Sequence, residues 1–251
     1  MIFGATTSSA PPPLPAPTPA GAPTGTALRY GQQGTFSKAV DIVADADGKL
    51  RGYGALAQRG TATDHENGGL AGVIGWTRWS GGTTQAAGDG SAASQVNGGY
   101  GRIWGTPATA VPTAGIAMYD LAGSTAVTSE NGRLAPGKIQ TANLGVDFGQ
   151  RKVGFASTFT VGGINYAIET RGGVAAPIMA LGVSNEFYSD QPGMGTLVSV
   201  GGNGCSPGTC PASLAGFLAG SGASHAGLSF SFYNPDAAAF AGAAIAFGKR
   251  P

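Results

Sequence analysis

Three consecutive runs of alternating apolar and polar residues constrain the fold of this chain more than any other feature. Apolar residues recur with a period of two in Asn143–Phe148, Lys152–Val161 and Ile164–Arg171. That period is typical of a β-strand with one buried and one solvated face. The runs are joined at residues 149–151 and at Gly162-Gly163, and a Gly-Gly pair tolerates the positive φ angles of a two-residue hairpin turn. The stretch therefore predicts an antiparallel meander with one apolar face.

The glycine content extends this prediction to the rest of the chain. Of 251 residues, 45 are Gly, which is far above ordinary usage. Gly weakens helix interiors and suits tight turns and bulges, so many short strands are favoured. Eight strand candidates follow residue 99, and they are Gly115–Leu121, Asn143–Phe148, Lys152–Val161, Ile164–Arg171, Thr196–Val200, Leu214–Ala219, His225–Tyr233 and Ala241–Gly248.

Eight successive antiparallel strands can close into a barrel without exposed edges and fill its interior with their own side chains. We therefore predict an all-β chain with an eight-stranded up-and-down antiparallel barrel over residues 99–251. A capped helical turn is predicted after Asn234, directly before the last strand.

Two segments precede the predicted barrel. Seven Pro lie between Pro11 and Pro23, so residues 1–25 are predicted to form an extended tether without a core. A ligand for a Pro-binding domain is the alternative reading of this segment. Residues 26–98 are predicted to comprise a small β-rich domain, over residues 26–82, and a flexible connection over residues 81–98 that is almost all Gly, Ala, Ser, Thr and Gln.

Charge and residue usage exclude several classes of function. The net charge is +1 without a cluster of Lys or Arg, which argues against nucleic acid or an anionic membrane as the partner. Histidines at metal-binding spacing are absent, and we predict no metal site. Ser224 and His225 are neighbours and should point to opposite faces of a strand, which argues against a serine–base pair. We predict that the chain is not an enzyme.

The two cysteines, Cys205 and Cys210, enclose the turn-forming pair Pro207-Gly208. This spacing predicts a small disulfide loop and therefore an oxidising compartment. The alternative is a thiolate metal pair, which would need further ligands from elsewhere in the chain.

Two segments resemble the β-barrel domain of the transferrin-binding protein B family, which includes bacterial surface lipoproteins and secreted haem-capturing proteins. Ser229–Arg250 resembles the closing motif of that family: a strand, an aromatic-Asn-Pro-like turn, a short helix near a Gly and a last strand ending Phe-Gly-x-Arg, which here reads Phe-Gly-Lys-Arg. Cys205–His225 is similar to a Cys loop and Gly-Phe strand of related barrels. The likeness covers residues 99–251, and the domain over residues 26–98 would then correspond to the handle-like domain of the family.

The resemblance implies a non-catalytic role in binding an iron-carrying protein, haem or another protein partner. It also implies a bacterial outer-envelope or secreted location, with tethering to the outer membrane and export by a dedicated route. No signal peptide is recognisable after Met1, and we expect the export signal to have been removed. The alternative function is that of a structural or assembly subunit whose Gly/Ala-rich surface packs against copies of itself or another protein.

Several residues are candidates for these roles. A haem would need an axial ligand, and His65, in a predicted polar loop over residues 61–69, is a better candidate than His225. Loops and exposed aromatic or Arg side chains often form binding surfaces. The partner-binding candidates are Trp76, Arg78, Trp79 and Trp104, together with Phe187, Tyr188 and Met194 in a predicted long loop over residues 172–195. A seam between the two domains is the alternative location for the Trp residues.

Overall fold

The computed structural model describes residues 26–30, 36–38, 42–44, 50–53, 56–57, 63–70, 72–80, 83–84, 93–94, 100–106, 108–129, 132–189, 198–205 and 208–251. Regular structure in these ranges consists of β-strands alone. None of the described residues belongs to a helix long and apolar enough to cross a membrane. The predicted tether over residues 1–25 and Met194 lie outside the described residues.

The N-terminal part contributes ten strands. They are β1 (Thr26–Tyr30), β2 (Phe36–Lys38), β3 (Ile42–Ala44), β4 (Leu50–Tyr53), β5 (Leu56–Ala57), β6 (Thr63–Leu70), β7 (Ile74–Ser80), β8 (Thr83–Thr84), β9 (Ala93–Ser94) and β10 (Tyr100–Gly105). Five of them form an antiparallel sheet in the order β2-β1-β10-β7-β6, which we call the handle sheet. Strands β3, β4 and β5 form a second sheet, and β8 pairs with β9.

Two local predictions for this part were wrong. The predicted polar loop over residues 61–69 is mostly the edge strand β6, which pairs with β7 despite its polar, Gly-containing sequence. The predicted connection over residues 81–98 contains the paired strands β8 and β9. In addition, β10 begins just after the predicted domain boundary but pairs with β1 and β7 of the handle sheet. The boundary at residue 99 itself stays a prediction.

The remaining strands build the barrel. They are β11 (Ile116–Ser124), β12 (Thr128–Ser129), β13 (Ile139–Asp147), β14 (Lys152–Val161), β15 (Ile164–Thr170), β16 (Met179–Ala180), β17 (Glu186–Tyr188), β18 (Val198–Gly202), β19 (Thr209–Ala219), β20 (His225–Asn234) and β21 (Ala239–Lys249). Eight of them follow one another in the order β11-β13-β14-β15-β18-β19-β20-β21, and β21 pairs back onto β11. The predicted eight-stranded, antiparallel up-and-down barrel is therefore confirmed.

The barrel interior is filled by the apolar side chains that the alternating pattern identified. Four aromatic rings meet near one end: Phe159 lies 5.5 Å from Tyr166, 5.0 Å from Phe230 and 5.5 Å from Phe232, measured between ring centroids. Phe155 and Phe247 pack edge to face at 6.2 Å further along the interior. The interior is thus a hydrophobic core, which the two-faced strands predicted.

Three of the barrel strands are interrupted and then resume along the same neighbour. Strands β11 and β12 both pair with β21, β15 and β16 both pair with β14, and β17 and β18 both pair with β19. A buried hydroxyl lies at the end of each first segment, in its last residue or in the next one, and accepts a backbone hydrogen bond from the neighbouring strand. The bonds are Ala244 N–H to Thr125 Oγ1 at 3.1 Å, Phe155 N–H to Thr170 Oγ1 at 2.9 Å and Leu214 N–H to Ser189 Oγ at 3.0 Å. Each hydroxyl takes the place of a backbone carbonyl where the strand leaves the ladder.

Replacing Thr170 with Val should therefore destabilise the barrel although the two side chains have similar shapes. The Phe155 N–H would be buried without an acceptor, which costs about 1–3 kcal/mol. Chemical denaturation of Thr170→Val and Thr170→Ser measures this loss. Ser keeps the Oγ atom and should lose less stability than Val, whereas an equal loss in both variants would show that the hydroxyl contributes nothing.

The handle sheet covers the outer wall of β19, β20 and β21. Apart from Phe217, the outward residues buried against the sheet are small, and they include Ala215, Ala219, Ala244 and Ala246. They pack with Ile74 and Ile103 of the handle sheet, and we call this contact the seam. Small side chains let two sheets approach closely, so the Gly- and Ala-rich surface is occupied by the chain's own sheet.

The seam is held by hydrogen bonds at both ends. At one end, the linker after β10 lies along the turn between β19 and β20, where Thr109 N–H donates to Gly220 O at 3.2 Å and Gly222 N–H donates to Thr109 O at 2.8 Å. At the other end, Glu66 Oε2 of β6 accepts a hydrogen bond from Ala126 N–H of the barrel at 2.6 Å. These contacts fix the handle sheet on the barrel wall.

Candidate functional site

The predicted long loop over residues 172–195 is not one loop. Its middle forms a short hairpin, which we call the wall hairpin (residues 179–188) and which consists of β16, a tight turn and β17. β16 pairs with β14 and β17 pairs with β19, so the hairpin fills the wall where β15 and β18 are interrupted. The partner-binding candidates Phe187 and Tyr188 are neighbours on β17 and therefore point to opposite sides of the wall.

The inward side of the wall hairpin is anchored in the core. Met179, Leu181 and Phe187 are all buried. A Cβ atom built on Gly216 of β19 would lie 2.2 Å from the Phe187 ring, so only Gly leaves room for this ring. Phe187 is fully buried and contributes packing here, not exposed surface.

The outward side of the wall hairpin presents apolar groups to solvent. Val183, at the tip, is 98% exposed and Tyr188 is 44% exposed. Among the described residues, Ile116 at 71% is the remaining large apolar side chain with comparable exposure. Exposed aromatic and aliphatic groups on a rigid support suit the recognition of another protein.

The tip is braced by the barrel. Arg151, in the turn between β13 and β14, donates from Nε to Leu181 O at 3.2 Å and from a second guanidinium nitrogen to Gly182 O. Leu218 N–H donates to Asn185 O at 2.9 Å from the other side. These bonds hold Val183 in one position, which lowers the conformational entropy that a partner must remove on binding.

The segment that precedes the wall hairpin lies against the outer surface of the barrel. A Cβ atom on Gly154 would be 2.1 Å from the Gly173 carbonyl oxygen, so the segment and the wall are in direct backbone contact. Arg171, Ala175 and Ala176 are exposed on its outer side. This surface continues from the wall hairpin over β14.

The Trp and Arg candidates lie in the handle sheet and not beside the wall hairpin. Trp76 is half-buried at the seam, where a Cβ atom on Gly123 of β11 would lie 2.2 Å from its ring. Trp104 is buried on the other face of the sheet, and Arg78 is buried and pairs with Glu66 at 3.1 Å. The side chain of Trp79 lies outside the described part of the chain. Partner binding by these residues stays a prediction.

The two histidines lie on different strands. His65 is in β6, where the register with β7 shifts between Asp64 and Glu66, and its role as a haem ligand stays a prediction. Ser224 precedes β20, and its Oγ atom lies 2.9 Å from His225 Nδ1. The expectation that these two side chains point apart was wrong, because Ser224 belongs to the turn and not to the strand. Burial lowers the pKa of His225, which keeps its imidazole neutral at neutral pH.

The opposite end of the barrel carries the disulfide. Cys205 and Cys210 are bonded with their Cα atoms 5.1 Å apart, which confirms the predicted loop. Nearby, Asn234 Nδ2 donates to Tyr166 Oη at 2.8 Å, and burial raises the pKa of this Tyr. Asn234 Oδ1 also accepts from Ala237 N–H at 2.9 Å, and residues 235–238 form a turn where a helical turn was predicted. Among the described residues, no three His, Cys, Asp or Glu side chains converge in an arrangement that could hold a metal ion.

This chain is a β-barrel protein whose closed, eight-stranded barrel carries a second sheet docked on its outer wall. Solved structures share this fold. Transferrin binding protein B from Neisseria meningitidis superposes with a TM-score of 0.51 at 17% identity, over 90% of this chain and 44% of that one. The fold of this chain is therefore that of a transferrin binding protein B barrel.

Two further structures are similar at a lower score. A double mutant of transferrin binding protein B from Haemophilus parasuis has a TM-score of 0.46 at 12% identity, covering 89% of this chain and 44% of that one. A surface lipoprotein has a TM-score of 0.44 at 12% identity, covering 90% and 99% of the two chains. The chain spans less than half the length of the transferrin binding protein B structures named here. No protein-family model and no curated protein matches the sequence.

Proposed function

We propose that this chain is a non-catalytic binding protein of the bacterial cell surface that captures a protein partner, with an iron-carrier protein as the leading candidate. The observation that carries the proposal is the wall hairpin, whose exposed apolar tip is held in place by the barrel. The fold of that barrel is shared with a transferrin binding protein. Transferrin is a candidate partner because the similar solved structures are named as transferrin binding proteins. The disulfide is consistent with a location outside the cytoplasm.

The binding surface is assigned to the outward side of the wall hairpin. Val183 and Tyr188 supply apolar area, and Glu186, which also faces outward, supplies a charge at the rim. Interfaces commonly place aromatic anchors at the centre with polar groups around them. Phe187 supports this surface from the core side.

The interior of the barrel is a less suitable binding site. Its side chains pack against one another along its length, and the aromatic cluster around Phe159 fills one end. A haem would therefore bind at the surface, and His65 is the residue we propose as its ligand. The alternative, a structural subunit, was based on a Gly- and Ala-rich surface that could pack against another molecule. It is less favoured because the handle sheet of the same chain covers that wall.

Direct binding to immobilised iron-carrier proteins tests the proposal. Transferrin and haemoglobin serve as probes, and the chain is expected to bind one of them with a dissociation constant at or below micromolar. Replacing Tyr188 with Ala should weaken that binding about 30-fold, since truncating a central aromatic anchor costs about 2 kcal/mol or more. The matched control is Tyr233→Ala, a half-buried Tyr on the outside of β20, which should leave binding unchanged.

The outcomes separate the parts of the proposal. Binding that is insensitive to Tyr188→Ala and Val183→Asp would move the site away from the wall hairpin. If the chain binds neither transferrin nor haemoglobin, the proposal of iron-carrier capture is overturned. For haem, a titration that changes the Soret band in the parent chain and not in His65→Ala would support ligation by His65, and an unchanged band in the parent chain would exclude it.

A further inference from the structure

The wall hairpin is attached to the barrel along short pairings. β16 pairs with β14 at Lys152 and Val153 alone, and β17 pairs with β19 over residues 215–217. In contrast, β20 and β21 pair along the full ten residues of β20. Local opening occurs where few backbone bonds hold a segment. By its pairing the wall hairpin is held less firmly than β20 and β21, and the buried side chains of Met179, Leu181 and Phe187 are what oppose its release.

The chain before and after the hairpin is bonded to the wall by side chains that do not belong to the hairpin. Thr170 Oγ1 accepts from Phe155 N–H on β14, and Ser189 Oγ accepts from Leu214 N–H on β19. Both hydroxyls belong to residues outside the hairpin, one before it and one after it. These side-chain hydrogen bonds hold the chain to β14 and β19 at the two ends of the excursion, and departure of the hairpin leaves them in place. The pairings of β14 with β16 and of β19 with β17 are the ones that opening breaks.

The segment before the hairpin offers a hinge, and Arg151 offers a latch. Gly172 and Gly173, which precede the hairpin, have φ angles of +92° and +60°, and Gly adopts these values without strain. Arg151 acts as the latch, because its guanidinium group joins the turn between β13 and β14 to the carbonyl oxygens of Leu181 and Gly182. This contact links the hairpin tip to the rigid part of the barrel.

We propose that the wall hairpin opens as one unit from a barrel that otherwise stays folded, and that this opening switches off the binding surface at Val183 and Tyr188. The switch rests on the proposed function, whereas the opening itself does not. In the closed state, the hairpin presents the side chains of Val183 and Tyr188 in fixed positions. In the open state, the hydrogen bonds from Arg151 and Leu218 are broken, and Phe187 no longer packs over Gly216.

Hydrogen exchange of backbone amides, followed by NMR without denaturant, tests the opening. Leu181 N–H, bonded to Arg151 O, and Leu218 N–H, bonded to Asn185 O, lose their acceptors when the hairpin opens. Phe155 N–H and Leu214 N–H keep theirs. We expect the first pair to exchange at least 100-fold faster than the second, although all four are buried in the same wall. Equal rates for the four amides, matching those of β20, would overturn the proposal.

Two variants sharpen the test. Arg151→Ala removes the latch and keeps a Cβ atom at a φ of +51°, and it should accelerate exchange at Leu181 and Leu218 about tenfold without changing Phe155. Lys152 and Ala180 are register partners on β14 and β16, so Lys152→Cys with Ala180→Cys can form a cross-link. The oxidised form should slow exchange at Leu181 to the rate of Phe155, and the reduced form should restore the parent rate. An unchanged rate in both variants would also overturn the opening.

The switch has its own readout. The oxidised cross-linked chain should bind the iron-carrier protein at least as tightly as the parent chain, and Arg151→Ala should bind it more weakly. If neither transferrin nor haemoglobin binds the parent chain, the proposed function fails while the exchange result still decides whether the hairpin opens. Tighter binding by Arg151→Ala would instead show that the open hairpin is the binding form, and the proposed direction of the switch would be wrong.

Discussion

Replacing Ala246 with Asp is expected to release the handle sheet from the barrel while the barrel stays folded. Ala246 lies on the outward side of β21 and is fully buried against the sheet together with Ala244 and Phe217. An Asp there would place a carboxylate in an apolar contact without a partner. An uncompensated buried charge costs about 3–5 kcal/mol, and separation of the two sheets is the route that avoids it.

Tryptophan fluorescence measures this separation directly. The chain has three Trp, and Trp76, Trp79 and Trp104 all belong to β7 and β10 of the handle sheet. In Ala246→Asp the emission should shift to the red, while far-UV circular dichroism keeps most of the barrel signal. The matched control is Ala167→Asp, because Ala167 is exposed on β15. Loss of the barrel signal together with the fluorescence change would show that sheet and barrel are one cooperative unit.

Replacing Phe159 with Ala should destabilise the barrel itself. Phe159 is fully buried and contacts the rings of Tyr166 on β15 and of Phe230 and Phe232 on β20. Truncating a buried Phe removes its transfer free energy and leaves a cavity, at a cost of about 3–5 kcal/mol. The free energy of unfolding from urea titration, followed by far-UV circular dichroism, measures the loss.

The control for this variant is Phe240→Ala. Phe240 also pairs with an aromatic ring, Tyr233 at 5.1 Å, but it is only partly buried on the outside of the barrel. Its loss should cost about 1 kcal/mol, in the range of an aromatic pair. Comparable losses in the two variants would mean that the interior cluster does not dominate the stability of the barrel.

The alternating pattern was sufficient to predict the barrel. For β14, the predicted bounds Lys152 and Val161 are those of the structure, and Val153, Phe155, Phe159 and Val161 all face the core. The pattern works because a two-faced strand must bury its apolar side wherever it lies. Closure of the barrel followed from the number of such strands between turn residues.

Pairing between distant segments was not predictable from the same pattern. Periodicity identifies strands but not their partners, so β10 was grouped with the barrel that follows it although it pairs with β1 and β7. The interruption between β15 and β16 was also missed, because it depends on Thr170 replacing a backbone acceptor. The available signal was a Thr at the strand end, in the position that the alternation reserves for an apolar residue, with Gly172-Gly173 following after one intervening residue.

Part of the candidate site depends on such long-range contacts. Phe187 and Tyr188 were singled out as aromatic residues in a loop, yet their opposite orientations follow from the pairing of β17 with β19. Trp76 faces the barrel because the handle sheet docks there, and nothing local to β7 indicates that contact. His225 and Ser224 approach each other because the strand begins one residue later than Ser224.

The hydroxyl group at Thr170 has a practical consequence for engineering. Since it caps the pairing of β15 with β14 at the point where the chain leaves the wall, residues added on the exposed side of the departing segment need not disturb that pairing. The entropic cost of closing a longer loop rises only slowly with its length. The exposed junction between Ala175 and Ala176 is therefore a suitable graft point, where a foreign peptide could be displayed on the outside of an intact scaffold.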